Sequence, residues 1–406
     1  MDLLIKNAKL RKKNGLFDIA IENGVIAEIA KKVKGAPKKT IDAGGCLVTE
    51  AFCNAHLHLC KVWTLRMMDE KALKDYHSSD MGKAMTAIEL AARVKENYDE
   101  KWIIKNVRQA VEMALKYGNL HIRAFADVDS KAKLEGVKAL IKARDEFRNL
   151  VNIQVVAFPQ DGVIRDPAAE NLVRKAMDLG ADIVGGIPWI EYTEADEKAH
   201  IQKMVAIAKE YNKDVSMLVD DAGDPTLKTL EMLATETLRV GWRGRVLAQH
   251  ARAMCLYPKP YFQKVASLLK KAGIGIVTDP QTGPLHARVG ELLEENVLVC
   301  LGQDDISDAY YPYGRNNMLE VAFLASHLLW MTGEDQMETL YDMITVNGAK
   351  AMNVENFGLK KGGRADIVVL GVDSVLEALR SQEAPRYVIS NGKLAAETST
   401  TSQLYK

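Results

Sequence analysis

The chain of 406 residues carries no excess of either charge: 54 Lys and Arg balance 54 Asp and Glu. That balance removes the basic footprint of a nucleic-acid binder, so no nucleic-acid partner is expected. No apolar run reaches the length that spans a bilayer, and no membrane partner is expected. The opening stretch MDLLIKNAKLRKKNG alternates apolar and polar residues before a turn. It reads as a strand and lacks the apolar core of a secretory signal. Cysteines are few: Cys46, Cys53, Cys60, Cys255 and Cys300. Their odd number and lack of short paired spacing argue against a disulfide framework and fit a reducing cytoplasm. No Gly-rich dinucleotide turn follows any apolar run, which counts against a doubly wound nucleotide-binding sheet.

What the chain does have is 48% hydrophobic residues, enough for a substantial core. Short β-rich runs recur between longer helical stretches: EAFCNAHLHL, HIRAFADV, VNIQVVAF, ADIVGGI, DVSMLV, RVLAQH, GIGIVTD and VLVCLGQD. Continuous apolar strands suit a parallel sheet buried on both faces. Helix-like segments such as EKWIIKNVRQAVEMALKYG separate them, and several end in Gly or Asn, as helix C-termini do. Eight such repeats predict a (β/α)8 TIM-type barrel. Residues 1–50 and the segments GRADIVVLGV and PRYVISNGKLA read instead as strands, the latter with a hairpin turn at Asn391-Gly392. A small β-sandwich built from both chain ends is expected over residues 1–50 and 355–400, with the barrel over 51–354.

Catalytic groups of such barrels lie at strand C-termini. His56 and His58 end the first strand, followed by Lys61; being two apart on a strand, both imidazoles face one side. Asp127 and Asp129 follow the second strand, and Gln160 and Asp161 the third. Asp220 and Asp221 follow the fifth, His250 ends the sixth, and Asp304, Asp305 and Asp308 follow the eighth. Any one of these has an ordinary reading. A lone Asp at a strand end more often caps a helix, and a lone His is more often structural. Their joint occurrence is harder to explain that way.

With its His-x-His strand and the segments QVVAFPQDG, LGADIVGGIP, QHARAM, GQDDISDAYYPYGRNNMLEVA and GLKKGGRADIVVL, the chain resembles the amidohydrolase superfamily over nearly its whole length. The likeness is to the branch of cytosine deaminase and N-isopropylammelide amidohydrolase. The resemblance implies metal ligands at His56, His58 and Asp304, and His250 as the histidine that stabilises the attacking water or developing charge. It implies Gln160 as a hydrogen-bond partner of a pyrimidine-like ring, Lys61 beside the metal strand, and Asp221 as proton shuttle, with Asp305 adjoining the metal aspartate.

Two positions depart from the pattern. Leu218 stands where the family places a metal-binding histidine, and Cys60 where it carries Asp. No lysine in the fourth strand offers a carboxylated bridge, so a single divalent ion, zinc or iron, is expected. Asp220 and His250 are candidate replacement ligands: residues 218 and 220 would share a strand face, which would point Asp220 into the mouth. Tyr310, Tyr311, Tyr313 and Arg315 are placed near the mouth, where aromatics could stack a flat heterocycle and Arg315 meet a carbonyl or carboxylate. The expected reaction is hydrolytic loss of ammonia or an amine from a small pyrimidine- or triazine-like ring, by attack of a metal-activated water. A cyclic-amide ring-opening hydrolase and a metal-free barrel that binds a ligand without turnover are the alternatives. Homo-oligomerisation is compatible with the sequence.

Overall fold

A computed structural model describes residues 1–67 and 92–405. Its centre is a sheet of eight parallel strands: β6 (Phe52–Leu57), β7 (Asn119–Asp127), β8 (Asn152–Phe158), β9 (Ile183–Gly186), β10 (Asp214–Val219), β11 (Val246–His250), β12 (Gly275–Thr278) and β13 (Val299–Leu301). They correspond to the eight runs read from sequence. Every residue of β6 and β7 is buried, as strands covered on both faces require. The sheet closes where β6 meets the residues after β13. Leu57 bridges Asp304 in parallel, His58 N donates to Asp304 O at 2.7 Å, and Asp304 N donates to His56 O at 2.9 Å. The closing seam of this TIM-type barrel thus holds the two histidines and the aspartate singled out above.

Helices cover the barrel, and local sequence sets their ends. Asp99 accepts from Lys101 N at the start of α1 (Glu100–Lys116). Thr193 accepts from Asp196 N at the start of the long helix Glu194–Glu210. Gly241 and Gly273 end their helices in the left-handed conformation. Among the described residues no helix is long and apolar enough to cross a membrane. All five cysteines are free thiols.

The chain ends form two four-stranded sheets. One takes β1 (Leu3–Lys9), β2 (Leu16–Glu22), β3 (Val25–Ala30) and β4 (Lys39–Asp42). The other joins β5 (Val48–Glu50) to β14 (Ile367–Val369), β15 (Tyr387–Ser390) and β16 (Lys393–Glu397). Pairing is antiparallel except between β1 and β4. Ile5, Ile19 and Ile21 of the first sheet share a core with Val48, Ile367 and Ile389 of the second, which makes the pair a sandwich. Asn391 and Gly392, with φ of 48° and 76°, turn the β15–β16 hairpin as expected. The helix Val375–Ser381, inserted between β14 and β15, is an element the strand pattern does not announce. Sandwich and barrel meet at a buried polar contact, His121 Nε2 lying 3.2 Å from Asp366 Oδ2.

Candidate metal centre

Three buried imidazoles and a carboxylate meet at the barrel mouth. His56 Nε2 lies 3.0 Å and His58 Nε2 3.5 Å from Asp304 Oδ1. The His56 ring centroid is 4.9 Å from that of His58 and 4.8 Å from that of His250. Potential ligand atoms of His56, His250 and Asp304 all fall within 4.8 Å of one another, as do those of His58, Asp304 and Asp305. His250 and Asp304 reach these places through left-handed backbone, φ 64° at each. Non-glycine residues rarely adopt that conformation, and it concentrates at functional sites.

The electrostatics fit a cation. Burial, then Lys61 and His56, push the His58 imidazole well below its usual value. Burial also lowers His250, against the raising effect of Asp221 and Asp304. Neutral imidazole is the form that ligates metal. Burial would raise Asp304, but His250, His56 and His58 outweigh it and hold this carboxyl below the usual range. Around it, burial raises Asp279, Asp305 and Asp308, with repulsion from Asp304 and Asp221 adding at Asp279 and from Asp304 and Asp308 at Asp305. The site therefore concentrates carboxyls against Lys61 and Arg252, an imbalance a divalent ion would relieve. His56 Nδ1 and His58 Nδ1 are buried without a hydrogen-bond partner among the described residues. His56 Nε2, although close to Asp304, lacks hydrogen-bond geometry to it. Buried polar atoms are seldom left so, and this donor set is one that zinc or iron accepts.

Beside the cluster, Lys61 Nζ donates to Gln160 Oε1, and Gln160 Nε2 donates to Tyr310 Oη at 2.9 Å. Lys61 also lies 3.4 Å from Asp127 and over the Tyr310 ring. Lys61, Gln160 and the half-buried Tyr310, all named from the sequence, thus form one hydrogen-bonded network. Asp221 accepts from Arg252 Nε and stands 3.9 Å from His250 Nδ1. Opposite, Leu218 packs with Phe125, Phe158, Ile187 and Ile190, with Trp189 against them. The Phe125 ring centroid is 4.2 Å from that of His56.

Two expectations need correction. Asp220 does not share the face of Leu218. β10 stops at Val219 and Asp220 turns left-handed, φ 46°. Its carboxylate accepts from Thr229 N at 2.6 Å, Thr229 Oγ1 at 2.7 Å and the Tyr257 hydroxyl. Strand alternation ends where the strand ends, so Asp220 ties down the helix Thr229–Val240 and is not among the converging groups. Arg315 does not reach the mouth. It pairs with Glu320 Oε2 and lies over the Tyr117 ring, near the start of β7. Its neighbour Asn316 accepts from Asn54 and Asn119 and donates to Ala110 O, which draws the segment away from the strand C-termini. Tyr313 is exposed, and Tyr311 packs edge-on against it.

Asp127, Asp129 and Asp161 hold loops: Tyr98 donates to Asp127, and Lys95 bridges Asp129 and Asp161. Asp308 accepts from Tyr310 N and Tyr311 N. Cys60 is a buried thiol that accepts from Asp127 N at 3.3 Å. Asp279 and Arg252 were not anticipated. Asp279 follows β12 directly, so the strand-end rule applied to the seventh strand would have found it.

The amidohydrolase family model matches residues 39–396. The chain belongs to this family. This amidohydrolase is 32% identical over 394 residues to N-isopropylammelide isopropyl amidohydrolase of Pseudomonas sp. (strain ADP), covering 97% of this chain and 96% of that one. Its fold matches 5-methylcytosine deaminase of Klebsiella pneumoniae bound to 5-fluorocytosine, with a TM-score of 0.91 and 28% identity over 99% of both chains. N-isopropylammelide isopropylaminohydrolase of Burkholderia multivorans shares the fold, with a TM-score of 0.85 and 24% identity, covering 98% of this chain and all 100% of that one. The amidohydrolase is accordingly a hydrolase of C–N bonds in the cytosine deaminase and ammelide hydrolase branch. Its family is metal-dependent, and it carries candidate His and Asp ligand groups for the ion.

Proposed function

We propose that this amidohydrolase removes ammonia or an amine from a pyrimidine- or triazine-like ring, using one divalent ion, zinc or iron. The observation that carries the reading is the convergence of His56, His58, His250 and Asp304 at the barrel mouth. Relatives whose names specify N-isopropylammelide and 5-methylcytosine support the substrate class. His56, His58 and Asp304 would hold the ion, with His250 beside them. When bound, such an ion acidifies water and polarises an electrophilic carbon.

The chain's own residues supply the rest. Asp304, held deprotonated, keeps a charged oxygen at Oδ1 facing His56 and His58. Asp221, oriented by Arg252 and near His250, carries a proton between water and the leaving nitrogen. The amide of Gln160, braced by Lys61 and Tyr310, would recognise a ring edge. Phe125, Phe158 and Leu218 form an apolar wall that excludes stray water and strengthens the electrostatics inside. The test is a panel of cytosines and alkylamino-triazines given to the metal-loaded enzyme, scored for ammonia or amine against ring opening. Release of ammonia or amine is expected, and Asp221→Asn should retain metal while lowering turnover by about 10²–10⁴-fold. Ring opening without release would overturn the assignment.

A further inference from the structure

Asp279 stands at the C-terminal end of the seventh barrel strand and has no part in the reaction as outlined. It is 2% exposed, and its Oδ2 lies 3.2 Å from His250 Nδ1, within reach of a hydrogen bond though not aligned for one. Gly302 makes room for it. A β-carbon there would collide with Asp279 Oδ1 and fall 2.6 Å from His56 Cβ. Strand eight thus gives up a side chain where Asp279 fits between the first, sixth and eighth strands. Burying a carboxyl so close to Asp304 and Asp221 is costly unless it does work there.

The work is visible from His250. Of the two carboxyls nearest Nδ1 among the described residues, Asp221 is farther, at 3.9 Å, and Asp279 closer, at 3.2 Å. A carboxylate that accepts from one imidazole nitrogen settles which nitrogen keeps the lone pair, aims the ring and makes it more basic. β10, DVSMLV, contains no histidine, and its Leu218 lies in the apolar wall. His250, whose ligand atom lies within 4.8 Å of those of His56 and Asp304, is the remaining imidazole of the cluster.

We infer that Asp279 is a positioning residue for His250. It accepts from Nδ1–H, leaves the lone pair on Nε2, and so lets His250 serve in the ligand set in place of the imidazole that Leu218 cannot provide. The inference rests on the metal centre of the proposed function.

The test measures zinc dissociation, by competition with a chromophoric chelator, for the parent, Asp279→Asn, His250→Ala and the double variant. Asp279→Asn should bind zinc about 10–100-fold more weakly, the usual effect of losing a partner behind a ligand. In the His250→Ala background the same substitution should change nothing further, since its effect passes through that ring. An unchanged affinity, or an equal loss in both backgrounds, overturns the inference. Imidazole nitrogen NMR of the parent, assigned through His250→Ala, gives a second reading free of any fold defect in Asp279→Asn. Nδ1 should carry the proton, and an Nε2–H tautomer overturns the inference. A parent that binds no zinc defeats the metal centre itself, whereas a zinc-binding parent matched by Asp279→Asn defeats only the role of Asp279.

Discussion

Gly302→Ala tests whether the closing seam of the barrel must be as tight as the structure has it. The added methyl would fall 2.6 Å from His56 Cβ and closer still to Asp279 Oδ1. Non-bonded carbon atoms favour separations of about 3.5–4.0 Å. One neighbour must therefore retreat by roughly 1 Å. His56 Cβ is fixed by its own backbone and by the hydrogen bond that His56 O accepts from Asp304 N. Overpacking of this kind costs about 1–3 kcal/mol. A 1 Å displacement of a reacting group costs on the order of 10²-fold in rate. Urea unfolding should thus show a loss of about 1–3 kcal/mol, with turnover and metal content falling together. Gly290→Ala is the control: nothing beyond its chain neighbours and its own helix backbone lies within 4 Å of its β-carbon, and it sits in the helix Val289–Glu294. That change should be neutral or stabilise by up to about 1 kcal/mol. Parent-like stability, metal content and turnover in Gly302→Ala would refute the claim that strand eight must approach His56 so closely.

Asp220→Ala should leave metal content at the parent level and lower the unfolding free energy by about 1–3 kcal/mol, because it strands the buried Thr229 and Tyr257 donors; metal analysis and denaturant unfolding check both. Lys61→Met should raise KM for the ring substrate, since Gln160 Oε1 and Asp127 lose their cation; a KM within twofold of the parent in steady-state kinetics would count against the network. Asp366 is held below the usual carboxylate range: burial raises it, but the nearby His121 imidazole, Arg364 and the Asn391 N–H outweigh burial. Its contribution to stability is therefore complete above the unfolded carboxylate value, about 4, and is lost as pH falls through the depressed folded value. Asp366→Asn should cost about 1–3 kcal/mol at neutral pH, as disturbing a buried acceptor of the Asn391 N–H and Arg364 does, and should flatten the acid limb of stability against pH.

The barrel was legible because a strand buried on both faces has to be apolar throughout, and eight such runs are hard to produce otherwise. His56, His58, His250 and Asp304 were legible because they close apolar strands. What the one-dimensional pattern cannot carry is backbone direction just past a strand end. Asp220 looked like a face-mate of Leu218 until a single left-handed residue turned it toward Thr229. Arg315 looked like a mouth residue, but the amide contacts of Asn316 are made with residues distant in sequence, and they decide where the loop lies. The helix Val375–Ser381 is short, and its seven residues interrupt strands whose pattern alone suggests a continuous sheet.

Metal analysis of the protein purified without chelator tests the central claim most directly. The account predicts about one zinc or iron ion per chain, as expected for two imidazoles and a carboxylate meeting at one point, and loss of that ion in the His56→Ala/Asp304→Ala double variant. A parent without a transition metal, or a double variant that keeps it in stoichiometric amount, would contradict the account.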